Sequence, residues 1–181
     1  MLFQSHILIS FLLGSLVTTT TGVTLRQFTG PSCTGNSRQC SNIDQDTCCQ
    51  SQNSFFSAAL CPGCVSMDVQ VTWVMNGSAY CGKAVDGANG NECITVSTNL
   101  TGHSWSGPED SPGHHNERRR CTKTVEPDLL QIGSKWFRLD ETVSGHEKAH
   151  IWRLWSGEAL EDQVPGWFLP YEVDPPEDME A

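Results

Sequence analysis

The sequence predicts a mainly β fold: one small disulfide-rich domain of short antiparallel strands, sandwich or Greek key-like, with a long polar loop and an acidic tail. Three observations carry that expectation. Eight of the nine cysteines fall between Cys33 and Cys93, and Cys48 and Cys49 are adjacent. The segments between them are rich in Ser, Asn, Asp and Gly, whose side chains bond to nearby backbone and favour turns over helices. The clearest periodicity in the chain is two, with Val65, Met67, Val69, Val71 and Trp73 on one face, the mark of a half-buried strand.

Residues 1–22 contain no Asp, Glu, Lys or Arg, with an apolar run over 7–17 and small residues over 18–22. This pattern predicts a secretory signal peptide cleaved after Gly22. Its apolar run is shorter than the roughly 20 residues that cross a bilayer, so an extracellular, secreted product with no membrane partner is expected. Residues 23–99 form the cysteine-rich β core. It opens with a strand in VTLRQFTG that ends at Gly30-Pro31, and continues through the alternating strand to a hairpin turn at Asn76-Gly77. A strand around residues 79–82 follows, then another over 92–98. Residues 100–120 are polar, with Gly, Pro, Ser, His and charge, and predict a flexible loop. Residues 121–171 complete the same domain with short strands at 128–139, split at Gly133-Ser134, and at 149–155. Residues 172–181 form a disordered acidic tail.

With 21 acidic residues against 11 basic and a net charge of −10, the surface repels nucleic acid and anionic membranes and suits cationic or neutral partners. In a secreted chain, Cys33, Cys40, Cys48, Cys49, Cys61, Cys64, Cys81 and Cys93 read as four disulfides of open connectivity, which leaves Cys121 as a free thiol or an alternative partner. The Cys61-Pro-Gly-Cys64 unit reads as structural, because no βαβ pattern surrounds it. Asn76-Gly-Ser and Asn99-Leu-Thr are glycosylation sequons.

The run FTGPSCTGNSRQCSNIDQDTCC, residues 28–49, resembles the opening of small secreted cysteine-rich, effector-like proteins of filamentous fungi. Within it, Phe28, Gly35 and the later Ser57 are similar to half of a βγ-crystallin Greek key motif, for which Tyr80-Cys81-Gly82 gives only the outline of a second half. The resemblance implies a β-rich extracellular interaction protein. It implies no calcium site, since the chain has no adjacent pair of Asn or Asp residues.

Several motifs point elsewhere. HEKAH at residues 146–150 matches H-E-x-x-H, in which His146 and His150 would hold zinc and Glu147 would act as general base in a metallopeptidase. Gly145 before it and IWRLW after it favour a turn entering a strand, where residues four apart do not converge on one ion. Gly102-His-Ser-Trp-Ser nearly matches a nucleophile elbow but lacks the final Gly and the strand-to-helix setting. His103, His114 and His115 with Glu109 and Asp110 could ligate a transition metal, although a solvated loop lacks the ordered support a site needs. Arg118, Arg119 and Arg120 resemble a processing site. Trp136, Trp152, Trp155 and Trp167 read as core, or as a sugar-stacking platform in a carbohydrate-binding module. The reading the sequence favours is a secreted, non-enzymatic protein with no cofactor, whose partner is an extracellular protein or glycan. A zinc peptidase and a carbohydrate-binding module are the alternatives.

Overall fold

The computed structural model describes residues 22–50, 56–107, 121–157 and 159–176. The expected mainly β, disulfide-rich fold is what forms. Eight strands build the centre: β1 Val23–Gly30, β2 Thr34–Ile43, β3 Thr47–Gln50, β4 Phe56–Leu60, β5 Val69–Asn76, β6 Ala79–Asn89, β7 Ile94–Leu100 and β8 Gly102–Ser106. Then come β9 Lys123–Val125, β10 Leu129–Ile132, β11 Lys135–Arg138, helix α1 Gly145–Ser156 and the short β12 Glu172–Val173. The strands form two sheets, one ordered β12-β11-β10-β2-β1-β4-β7 and the other β6-β5-β8-β3-β9.

Strands β1 to β4 and β5 to β8 are two four-stranded units that exchange a strand. The third strand of the first unit, β3, pairs with β8 in the second sheet, and the third strand of the second unit, β7, pairs with β4 in the first. Each unit carries a contact across 28 residues: the Ser57 hydroxyl donates to the Thr29 carbonyl at 3.2 Å, and the Thr101 backbone N–H donates to the Trp73 carbonyl at 2.9 Å while its hydroxyl donates to the Tyr80 carbonyl. Gly35 closes the first hairpin at φ +82, where an added Cβ would meet the Thr29 hydroxyl, so a residue without a side chain is required there.

The sheets face one another across a core of Val23, Leu25, Cys40, Ile43, Cys49, Cys61 and Cys64. They are joined by the Cys40–Cys49 disulfide and by Trp105, whose indole N–H donates to the Ile43 carbonyl at 2.8 Å. A second cluster lies where the added strands β10 and β11 meet α1, with Leu130, Ile132, Phe137, Ile151, Trp152, Trp155 and Phe168 at its centre. Among the described residues no helix is long and apolar enough to cross a membrane.

Three expectations are corrected. The strand expected at 149–155 is part of α1. Ser144 caps it and forms a capping box with Glu147, the S-x-x-E signal of a helix start, and Ile151, Trp152 and Trp155 then lie on its buried face. The loop expected over 100–120 does not hold at its start, because residues 102–106 are β8, the strand between β5 and β3. Its small and polar side chains hid a strand whose hydrogen bonds are satisfied inside the sheet. Nor does the disordered tail expected over 172–181 hold at its start: Val173 pairs with Trp136 and Glu172 with Phe137, and the Glu172 carboxylate meets Lys135 at 2.9 Å. Residues 1–21 of the expected signal peptide, 108–120 of the expected loop and 177–181 of the expected tail lie outside the described residues.

Candidate functional site

The eight core cysteines form four disulfides: Cys33–Cys93, Cys40–Cys49, Cys48–Cys81 and Cys61–Cys64. The adjacent pair is split by the pleat. Cys49 points into the inter-sheet core and Cys48 to the other face of its sheet, beside Val69, Val71 and Trp73, as alternation along a strand dictates. The Cys61–Cys64 bond closes a tight turn in which both residues are buried and Gly63 takes φ +89.

Cys121 is the free cysteine, and it is half-buried. Its sulfur and those of Cys48 and Cys81 all lie within 4.8 Å of one another. Burial, reinforced by the negative charge of Asp46, pushes its thiol up to about 11 against the opposing hydrogen bond of Ser104. Ser104 in turn accepts the Trp73 indole N–H at 2.8 Å. Nothing in the cysteine spacing identifies this cluster, because Cys121 reaches it only through the parallel pairing of β9 with β3.

The helical correction gives His146 and His150 the one-turn spacing that H-E-x-x-H chemistry uses. Among the described residues no third metal-capable side chain joins them. The Glu147 carboxylate accepts the Ser144 backbone N–H at 2.9 Å, and its hydrogen bonds to Ser144 hold it below the usual carboxylate range. His150 sets its ring against the edge of Trp167 at 5.8 Å. The cysteine trio, in which Cys48 and Cys81 are already bonded to each other, is no substitute for such a site.

Trp136, Trp152 and Trp155 are buried, which removes Trp152 and Trp155 as a sugar platform. They serve the core instead. The fully buried Arg38 guanidinium lies over the rings of Phe56, Trp152 and Trp155 at 4.8, 5.5 and 4.8 Å, and its Nε donates to the Gln27 side-chain carbonyl. Burial drives its pKa well below the ordinary value. Sequence reasoning missed Arg38 because a lone arginine in a polar run carries no signal of burial.

Trp167 is different. It is 40% exposed, and its ring is braced by His150 and by Phe168, at 5.4 Å. Phe168 is itself fully buried against Phe137 and Tyr171. Leu169, beside it in the short 3-10 helix Gly166–Tyr171, is 44% exposed. An aromatic and an aliphatic side chain are thus held at the surface by a rigid base.

Asn76 and Asn99 are both exposed, Asn76 at the β5–β6 hairpin. His103 is fully buried in β8 with its Nε2 3.0 Å from the Gln70 side-chain carbonyl, so it belongs neither to an elbow nor to a loop metal site. His114, His115, Glu109, Asp110 and Arg118 to Arg120 lie outside the described residues.

No curated protein and no solved structure matches the chain. Residues 24–128, more than half of its length, match the family described as ARB_05566_N: N-terminal domain. That span begins inside β1 and ends one residue before β10, so it takes in both strand-exchanged units and all nine cysteines. The chain belongs to this fungal family.

Proposed function

We propose that the protein is secreted and acts without catalysis of its own, as an effector-like interaction protein that binds an extracellular protein or glycan through the surface around Trp167. The braced, half-exposed indole carries this reading. Binding hot spots are enriched in tryptophan, and a side chain already held in place loses little entropy on binding. The net charge of −10 favours a cationic or neutral partner. Four disulfides suit an oxidising compartment, and the exposed Asn76 and Asn99 are the positions expected to carry glycans. The exchanged strands, the Gly35 conformation and the Ser57 contact support kinship with the βγ-crystallin Greek key, with Tyr80-Cys81-Gly82 in the second half.

The test is saturable binding of fluorescent protein, secreted from a eukaryotic host, to intact cell surfaces and isolated wall polysaccharide. Trp167→Ala combined with Leu169→Ala is expected to weaken binding by about tenfold or more, the scale of a hot-spot loss, with an unchanged denaturation midpoint. Binding that ignores both substitutions, or no saturable binding at all, would overturn the proposal.

A further inference from the structure

We propose that Cys48, Cys81 and Cys121 form an exchange relay, in which Cys121 takes over the bond to Cys48 and releases Cys81 as the free thiol. The balance is internal. The Cys121 thiolate attacks the Cys48 sulfur, the Cys48–Cys81 bond breaks, and Cys81 leaves with the electron pair and takes up a proton. One disulfide and one thiol enter the step and one of each leaves it, so no oxidant or reductant is needed.

Proximity is the first support, with three sulfurs inside 4.8 Å. The direction follows from solvation. Cys48 is fully buried while Cys81 is half-exposed, and a leaving thiolate is stabilised where water reaches it. A small cavity of about 10 Å³ beside Cys121, at the lower limit for admitting one water molecule, is also lined by Asp46, Ser104 and Ser106. The Ser106 hydroxyl, in the same lining, is buried without a hydrogen-bond partner among the described residues.

Gly102 removes the steric obstacle. A Cβ at that position would overlap the sulfurs of both Cys48 and Cys81, and its absence lets the bond lie against β8. The two covalent isomers differ in what they fasten. In one, the edge strand β6 is stapled to β3. In the other, β6 is released and the chain entering β9 is fastened instead.

Asp46 is the charged side chain lining the cavity, and the residues facing it from β5 and β8, Val71, Trp73, Ser104, Trp105 and Ser106, are uncharged. With the Cys121 thiol at about 11, the thiolate fraction and hence the exchange rate rise about tenfold per pH unit below that value.

Wild-type protein held at neutral and at alkaline pH, quenched by acid, alkylated and mapped as non-reduced peptides, tests the relay. A Cys48–Cys121 peptide and alkylated Cys81 should grow with pH at a rate independent of protein concentration. Cys121→Ser should abolish both. Secreted Cys81→Ser should carry four disulfides and no free thiol. Alkylation confined to Cys121 at every pH, or exchange that scales with concentration, would overturn the proposal. The wild-type map decides the matter even where Cys81→Ser fails to accumulate.

Discussion

His103 shows how a single buried side chain sets a pH limit. Gln70 spends its amide N–H groups on the Gly90 and Glu92 carbonyls, so it presents its carbonyl to His103, and the imidazole must donate from Nε2. Nδ1 is then buried without a partner among the described residues. A proton there would sit desolvated, and burial lowers the pKa from 6.5 to about 3. The folded-state pKa lies below the unfolded one, so this contribution to stability is complete above 6.5 and is lost as pH falls toward about 3. The loss is on the order of 1.4 kcal/mol per pH unit within the window. Urea midpoints between pH 7 and 5, above the range where the surface carboxylates titrate, should therefore fall for the wild type and stay flatter for His103→Gln. Parallel slopes would mean that another group is responsible.

Helix α1 rests on a few local devices. Its N-terminal N–H groups need acceptors, and the Ser144 hydroxyl accepts the Glu147 N–H at 3.3 Å while the Glu147 carboxylate reaches back to Ser144. Ser144→Ala should lower the unfolding free energy by about 1 kcal/mol, within a range of about 0.5–2, as measured by urea titration. A change much smaller than that would show that tertiary packing alone holds the helix end. The same residues explain what could be read beforehand. Gly133-Ser134 marks the β10–β11 turn, because a positive-φ glycine is a local signal. The alternation over 65–73 locates β5 only in part: Val65 and Met67 are exposed before it begins, and within it Gln70 and Thr72 are buried as fully as Val69, Val71 and Trp73. The capping box is a local signal too, but its Glu147 is also the glutamate of the H-E-x-x-H match, so one stretch carries two competing signals. Strand β8 was hidden for a different reason. Gly102, His103, Ser104 and Ser106 are buried through hydrogen bonds and sulfur contacts made by residues distant in the chain, and composition does not record such partners. The Cys121 cluster is the same case, since it depends on a parallel pairing between β3 and β9 that no spacing encodes.

At the scale of the whole molecule, the family-matched span and the remainder divide the work unequally. Of the fourteen buried residues in the cluster under α1, Phe56, Ala59 and Leu100 come from the matched span and eleven come from beyond residue 128. The disulfides divide the other way, for all four lie inside residues 24–128. Covalent definition thus belongs to the first part and much of the apolar closure to the second. A chain ending at residue 128 should still be able to form the four native pairs. It would nevertheless expose the β2 edge that β10 covers through Leu129, Leu130 and Gln131, and it would strip the rings of Trp152 and Trp155 from Arg38. An open apolar face beside an unpaired strand edge invites association. The truncated protein is expected to give the native disulfide map while binding a hydrophobic dye and self-associating, with a lower urea midpoint than the full chain. A monomeric truncation with no dye binding would show that the two exchanged units close on their own, and that the C-terminal strands and helix serve the Trp167 surface alone.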